Sequence, residues 1–274
     1  MSENNRDGNR SARARLQQQR EREKAREKQR RVLIVSAAIV GVLGLAAVVG
    51  VIAAGGDGDD GSDKAGPVVT PSGATGDDKP AITTGSASAP STLAVWEDFR
   101  CPACAQFENA FRDTIHELEA EGAIKTEYHL ATLIDGNMGG SGSLRAANAA
   151  ACAQDAGKFT PYHDVLYMNQ PEETDDAFAD NGKLIELAAK VKGLDTPAFR
   201  SCVQDGTHDS WVKKSHEAFR SSAFQGTPSV LLNGESIFPT KGNEQISPAN
   251  LRKWVEQANK GKKTGGVASP STTG

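Results

Sequence analysis

The longest apolar stretch of the chain covers residues 32–54, which contain no charged and no amide side chain. At about 1.5 Å of helix rise per residue, these 23 residues span roughly 34 Å, more than the hydrocarbon core of a bilayer, about 30 Å. A helix on a soluble core shows a polar stripe, and this stretch shows none. The pattern therefore predicts a transmembrane helix.

A strand–helix–strand pattern opens the part of the chain that can fold around a core. Residues 93–99 form a short apolar-rich run, which predicts a strand. Apolar side chains then recur at helical spacing before a stop at Gly122, namely Phe107, Phe111, Ile115 and Leu118. Residues 124–130 alternate with period two, which predicts a strand with one buried face formed by Ile124, Thr126, Tyr128 and Leu130.

The second half of the folded part is predicted to be helical first and then to return to strands. A helical region covers residues 143–223. Residues 229–232 and 236–238 flank Asn233-Gly234, a dipeptide that strongly favours a two-residue hairpin turn. A closing helix is expected to start at Ser247-Pro248, because serine caps helices and proline is tolerated in the first turn.

Charge is distributed unevenly on the two sides of the apolar run. Residues 1–31 hold 11 Lys/Arg and 5 Asp/Glu, a net +6, and the other residues hold 20 and 30, a net −10, which together give −4. Positive residues mark the cytoplasmic side of a membrane helix. We therefore expect a single-pass cell-membrane protein with a cytoplasmic N-terminus and an extracellular C-terminal domain.

Two alternatives concern this N-terminal part. A cleaved signal peptide has a shorter apolar region, about 7–15 residues, so an uncleaved anchor is favoured, although Ala53-Ala54-Gly55 leaves cleavage open. The basic head, residues 1–31, is interpreted as a solvated topology determinant that touches anionic lipid. RNA binding is the less favoured interpretation, and no nucleic-acid partner is expected.

The composition of the chain predicts where the folded domain begins and ends. Residues 55–81 are rich in Gly, Asp, Ser, Thr, Ala and Pro and are predicted to be a flexible linker. The folded domain is expected over residues 82–260, with helices inserted over about residues 140–222. Residues 261–274 form a second polar segment, which is predicted to be a disordered tail.

Cys101-Pro102-Ala103-Cys104 lies where the first strand passes into the first helix. Two intervening residues place both sulfurs on the first helical turn, where unpaired N–H groups and the helix dipole favour a thiolate. We expect Cys101 to be the exposed, attacking thiol with a lowered pKa and Cys104 to be the buried thiol that resolves the mixed disulfide.

Other interpretations of a Cys-x-x-Cys pair are weaker. A zinc site needs two more ligands, usually a second close pair, and Cys152 and Cys202 are far apart in sequence. A structural disulfide between Cys101 and Cys104 is the remaining alternative. Redox chemistry is favoured, and neither a metal nor a cofactor is expected.

Three segments together resemble one known family. Residues 95–104, which end in the Cys-x-x-Cys motif, resemble the active-site strand and helix of DsbA-like thiol–disulfide oxidoreductases. Residues 157–167 resemble a helix of that family's inserted domain, and residues 226–230 resemble its cis-proline loop. The resemblance covers residues 82–260 and is greatest to membrane-tethered forms from Gram-positive bacteria, actinobacteria in particular. It implies an α/β thioredoxin fold with an inserted helical domain.

The resemblance also implies a substrate site. Thr227 and Pro228 are expected to form a cis peptide beside the cysteines, where the Thr227 backbone pairs with an extended substrate. Pro102 and Ala103 complete the predicted substrate contact. Ala103 stands where the best-known members have a histidine, so a very strong oxidising potential is in doubt. Expected partners are exported cysteine-containing proteins and an unidentified membrane redox partner.

The remaining assignments leave alternatives open. In an exported domain, bonded cysteines are favoured over free thiols. If Cys101 and Cys104 pair within the motif, Cys152 and Cys202 either form a disulfide with each other or stay as two buried free thiols. Glu97 or Asp98 either relays protons to Cys104 or is a strand-end acid facing solvent. The activity is predicted to be oxidation, with a membrane-tethered reductase, for example in cytochrome maturation, or a non-catalytic chaperone module as alternatives.

Overall fold

A computed structural model describes residues 67–266 of the chain. Among the helices in this range, none combines the length and the apolar character needed to cross a bilayer. The basic head, residues 1–31, and the predicted transmembrane helix, residues 32–54, lie outside the described residues.

The centre of the fold is a five-stranded mixed sheet. Its order is β1-β3-β2-β4-β5, with β1 at Ile82–Gly85, β2 at Ser91–Glu97, β3 at Ile124–Leu130, β4 at Ser229–Leu232 and β5 at Glu235–Ser236. Strands β2 and β3 are parallel, and the other pairs are antiparallel. This is the predicted thioredoxin-type sheet. Strand β1 was not predicted.

Helix α1, Pro102–Ala120, provides the crossover that a parallel β2–β3 pair requires. Its buried face holds the predicted apolar stripe, Phe107, Phe111, Ile115 and Leu118. Gly122 follows the helix with φ of 65°, the left-handed conformation that ends many helices. The predicted stop is therefore confirmed.

The inserted domain occupies the chain between β3 and β4, a longer span than the predicted residues 140–222. It contains α2 (Leu133–Met138), α3 (Gly142–Asp155), α4 (Phe159–Met168), a 3-10 turn (Ala177–Ala179), α5 (Asn181–Ala188), α6 (Pro197–Asp205) and α7 (Asp209–Arg220). Six alanines give α3 small side chains that let the neighbouring helices approach closely, and most of α3 is buried among them. Its close packing makes the insert a second core continuous with that of the sheet.

The hairpin and the closing helix are confirmed. Asn233 and Gly234 have φ of 53° and 85°, which a two-residue turn of this kind requires at both central positions. The second strand of the hairpin, β5, ends at Ser236 rather than at residue 238. A short hairpin follows, formed by β6 (Thr240–Lys241) and β7 (Glu244–Gln245). Helix α8, Pro248–Ala258, is capped by Ser247, whose side chain accepts a hydrogen bond from Asn250 N.

The folded domain extends beyond the predicted limits, residues 82 and 260, at both ends. Residues 67–81, predicted as part of a flexible linker, lie on the insert through hydrogen bonds: Ser72 N to Asp155 Oδ1 (2.7 Å), Val69 N to Ser210 Oγ (3.1 Å), and His208 Nδ1 with Val69 O (2.8 Å). At the other end, Gly265 N donates to Gly122 O at 2.8 Å. The linker prediction is wrong for residues 67–81 and the tail prediction for residues 261–266, because long-range hydrogen bonds supply the order that composition does not.

Candidate active site

The two cysteines of the motif lie where β2 gives way to α1. Cys101 is the N-cap residue of the helix, Pro102 occupies its first position and Cys104 lies within its first turn. Both thiols are free. Cys104 is completely buried, as predicted, but Cys101 is only 6% exposed, so the expectation of an exposed thiol is wrong. The loop that precedes β4 covers the Cys101 sulfur.

The surroundings of the two sulfurs separate their pKa values. The Cys104 thiol, through a hydrogen bond to the Cys101 sulfur, is the main factor that lowers the pKa of Cys101 to about 7, against an opposing effect of burial. Bonds from Thr227 and from the Cys104 backbone lower it further. Burial, followed by the proximity of the Cys101 sulfur, raises the pKa of Cys104 well above its ordinary value. Near neutral pH, Cys101 is therefore the nucleophile, whereas Cys104 remains a protonated thiol.

The loop before β4 closes over Cys101. The Thr227–Pro228 peptide bond is cis. The Cys101 thiol donates to Thr227 O over 3.3 Å. The side-chain oxygen Thr227 Oγ1 is buried and has no hydrogen-bond partner among the described residues, so it is available to the thiolate. Ala103 is exposed and Pro102 partly so, which leaves one side of the motif open to a bound chain.

Both acids before the motif are fully buried, which rules out the interpretation of a strand-end acid facing solvent. Asp98 accepts hydrogen bonds from the backbone N–H groups of Arg100 (2.8 Å) and Ile134 (2.9 Å). Burial nevertheless raises the pKa of Asp98 to about 6. Glu97 Oε1 lies 2.8 Å from Nε2 of His163, on α4 of the insert.

Two residues that the sequence analysis did not single out hold the active-site turn against the insert. The buried Arg100 guanidinium pairs with Asp135 (2.7 Å) and Asp176 (2.9 Å). The Gln170 side-chain amide donates to the carbonyl oxygens of Phe99 (2.9 Å) and Cys101 (3.0 Å). The insert therefore fixes the backbone on which Cys101 sits. A charged residue directly before the motif was the only sequence signal for this contact.

The other two cysteines form a separate disulfide. Cys152 on α3 and Cys202 on α6 are bonded, with a Cα–Cα distance of 5.9 Å and a sequence separation of 50. The alternative of two free thiols does not apply. This bond joins two helices of the insert, whereas the motif cysteines belong to the sheet and α1.

Two groups of side chains within residues 67–266 are close enough together to consider for a metal ion. The first, Cys152, Cys202 and His208, has both sulfurs committed to the disulfide. The second is Glu97, Glu108 and His163, in which Glu97 and His163 already bond to each other. Neither offers the open set of ligands that a zinc site needs, and we assign no metal to either.

The geometry supports thiol–disulfide exchange. Cys101 can attack a disulfide as a thiolate, and Cys104, one turn inside the helix, can then attack Cys101 in the mixed disulfide. The same two sulfurs, once bonded to each other, can accept electrons from a dithiol.

Comparisons with known proteins agree with this chemistry. A family model described as "Thioredoxin" matches residues 77–257. A Bacillus cereus protein named "Probable disulfide bond formation protein D" is 26% identical over 156 residues, which cover 57% of this chain and 71% of that protein. Among solved structures, oxidised DsbA from Mycobacterium tuberculosis is 27% identical with a TM-score of 0.56, and the match covers 69% of this chain and 94% of that one. Reduced DsbG from the same organism is also 27% identical, with a TM-score of 0.55 and coverage of 65% and 86%.

Proposed function

Because the chain belongs to the thioredoxin family and is a DsbA-like thiol–disulfide oxidoreductase, we propose that it oxidises cysteine pairs of exported proteins through Cys101 and Cys104. The observation that carries the proposal is the unequal pair at the start of α1. A sulfur whose pKa is lowered to about 7 lies beside one whose pKa is raised. A thiol with a low pKa is a good leaving group, which suits disulfide exchange, and the relative named for disulfide bond formation supports the oxidising direction.

The reaction starts from the Cys101–Cys104 disulfide. A substrate thiolate attacks the Cys101 sulfur, the S–S bond breaks, and its electron pair goes to Cys104, which takes up a proton. A second substrate thiolate then attacks the substrate sulfur of the mixed disulfide, and Cys101 leaves as a thiolate. The substrate has lost two electrons and the enzyme has gained them. An unidentified membrane redox partner then removes both electrons.

Substrate binding is proposed for the loop over Cys101. Thr227 O accepts from the Cys101 thiol, and Thr227 lies just before the start of β4, so we propose that the Thr227 backbone pairs with an extended peptide. Pro228 follows it, and Pro102 and Ala103 border the same side of the motif. A peptide bound here brings its sulfur alongside that of Cys101.

The location rests on the sequence alone. The apolar residues 32–54, the basic residues before them and the acidic residues after them are the support for a membrane anchor with the catalytic domain outside. Protease added to intact cells is then expected to digest the domain and to spare residues 1–31. A domain that resists protease until the cells are lysed would place it in the cytoplasm and refute the location.

The direction of the reaction can be tested with the full-length chain. The oxidised protein is mixed with a reduced, unfolded substrate, and substrate disulfides are counted by mass spectrometry, with Cys101→Ala as the control. We expect disulfides to form with the wild type only. A protein that instead reduces insulin readily and leaves the reduced substrate unchanged would be the reductase of the alternative interpretation. If neither reaction occurs, the chaperone interpretation would replace ours.

A further inference from the structure

Gln170 belongs to the inserted domain, and its side chain reaches the active-site turn. Its amide nitrogen donates to Phe99 O at 2.9 Å and to Cys101 O at 3.0 Å. Carbonyl oxygens only accept hydrogen bonds, so the NH₂ group with its two hydrogens, rather than the amide oxygen, faces them. The two carbonyls lie on either side of the segment formed by Arg100 and Cys101. One side chain of the insert therefore holds both ends of the segment that carries the nucleophilic sulfur.

The position of Gln170 is itself fixed by its neighbours. It follows Asn169, the C-cap residue of α4, whose side-chain amide bonds back to the last turn of that helix. Pro171 comes next, and a residue before proline is largely restricted to extended backbone conformations. Helix α4 packs against the start of the motif, with the Tyr167 ring 5.0 Å from the ring of Phe99. The donor on Gln170 therefore needs little further ordering to hold the turn.

The backbone of Cys101 depends on such support because it lies outside the regular helix. Cys101 is the N-cap residue of α1, with φ of −75° and ψ of 117°, and its side chain forms no capping hydrogen bond. Its N–H donates to Asp98 O at 3.0 Å, and its carbonyl accepts from Ala105 N at 3.2 Å. Gln170 supplies a further bond to the same carbonyl. These few bonds set the torsion angles, and the torsion angles set the direction of the sulfur.

The direction of the sulfur decides how readily it forms a thiolate. The hydrogen bond with the Cys104 thiol is the largest factor that lowers the pKa of Cys101 to about 7, although burial opposes it. The Thr227 side chain and the Cys104 backbone lower it further. Hydrogen bonds weaken steeply once their distance and angle depart from the optimum. A small rotation of the Cys101 backbone would therefore weaken several of these bonds at once.

Nearby charges do not supply this stabilisation. The Asp98 carboxylate acts against it, because its charge raises the pKa of Cys101. The Arg100 guanidinium pairs with Asp135 at 2.7 Å and with Asp176 at 2.9 Å, both in the insert. Its positive charge is thus balanced by two carboxylates. The short-range hydrogen bonds to the sulfur, and hence its exact position, are what make Cys101 a nucleophile near neutral pH.

We propose that Gln170 is a positioning residue for Cys101: its two hydrogen bonds hold the backbone so that the sulfur stays within reach of Thr227 and of the first turn of α1. Gln170 acts through the Cys101 backbone and not on the sulfur itself. The inserted domain thereby sets the reactivity of a sulfur that belongs to the sheet and to α1. This inference rests on the proposed role of Cys101 as the nucleophile.

The test uses the full-length reduced chain and iodoacetamide. Alkylation of Cys101 is followed by peptide mass spectrometry between pH 5.5 and 9 in the wild type and in Gln170→Met, which keeps the length of the side chain and removes both donors. The variant is expected to react about three- to eightfold more slowly at pH 6.5, which corresponds to a pKa rise of about 0.5 to 1. At the top of the pH range the two rates should converge, because the thiol is then largely ionised in both proteins.

A second variant and a matched control separate a lost donor from a weakened insert. Gln170→Glu has nearly the same shape, but a carboxylate donates to neither carbonyl, and its charge opposes a thiolate. It should therefore slow alkylation at pH 6.5 more than Gln170→Met does. Gln154, on α3, also donates to a backbone carbonyl, but to Ser72 O at 2.8 Å, in residues 67–81. Gln154→Met should leave the pH profile of Cys101 unchanged.

The melting temperature of each variant and its oxidation of a reduced substrate are measured on the same preparations. A wild-type pH profile in both Gln170 variants would reduce Gln170 to a structural contact. An equal shift in Gln154→Met, or failure of both Gln170 variants to fold, would overturn the inference as well, while the exchange function would stand. If the wild type neither oxidises the substrate nor reacts at Cys101, the proposed function itself fails.

Discussion

The protein carries two cysteine pairs in two regions, and their surroundings differ in almost every respect. Cys101 and Cys104 lie within one helical turn at the end of the central sheet, and both are free. Cys152 and Cys202 are 50 residues apart, on two helices of the insert, and they are bonded. In the first pair, the Cys101 thiol donates to a loop carbonyl and its sulfur accepts from a backbone N–H at the helix N-terminus, whereas alanine-rich packing surrounds Cys152. Because both pairs are cysteines, it is their position in the fold that decides which sulfurs take part in disulfide exchange.

The largest expected effect separates the two pairs directly. Cys101→Ala should abolish both oxidation and trapping of substrate, because no other sulfur in the described part of the chain lies at a helix N-terminus beside Thr227. Cys104→Ala should leave substrates covalently attached through Cys101, since the resolving thiol is gone. Non-reducing gels of pull-downs with the full-length chain measure both outcomes. Trapping by the Cys101→Ala variant would contradict the comparison.

The second prediction concerns the insert. Removing both cysteines by Cys152→Ala and Cys202→Ala should lower the free energy of unfolding by up to ~4 kcal/mol, because the bond closes a loop of about 50 residues. Exchange activity should persist at temperatures well below the melting point. Denaturant unfolding and the oxidation assay, run on the same preparation, provide the two readouts. Loss of activity in a folded double variant would show that the second pair takes part in exchange.

The smallest expected effect sharpens the role of the covering loop. Thr227→Val keeps the shape of the side chain but removes the hydroxyl, one of the groups that lower the pKa of Cys101. The pKa should rise, and alkylation of Cys101 at pH 6.5 should slow by a few fold. Thr126→Val is the matched control, because Thr126 Oγ1 is also buried without a partner among the described residues but lies in β3. Equal rates of Cys101 alkylation in the two variants would show that the Thr227 hydroxyl does not lower the pKa of Cys101.

The strand–helix–strand opening, the turn and the closing helix could be predicted because each depends on local sequence. Strand β1 could not. It has only four residues, and its order comes from pairing with β3, where Ile82 faces Tyr128 and is completely buried. Residues 67–81 were assigned to the linker for the same reason. Its composition is that of a linker, and its hydrogen-bond partners lie far away in sequence.

The candidate site was predictable in part. The motif cysteines and Thr227 were named from the sequence, and the structure brings Cys101 and Thr227 into contact. Arg100 and Gln170 were missed. Arg100 gave only the signal of a charged residue directly before the motif, and Gln170 gave none, because its contact with the Cys101 backbone depends on how the insert packs.

The central claim is that Cys101 is the nucleophile because its surroundings lower its pKa, and alkylation measures this most directly. The reduced full-length chain is treated with iodoacetamide at a series of pH values, and the modified residues are identified by peptide mass spectrometry. A thiol reacts as its thiolate, so the rate at Cys101 should rise with pH around a midpoint near its pKa of about 7. Cys104 should remain unmodified until well above that pH. Faster modification of Cys104, or a Cys101 midpoint near 9, would contradict the account.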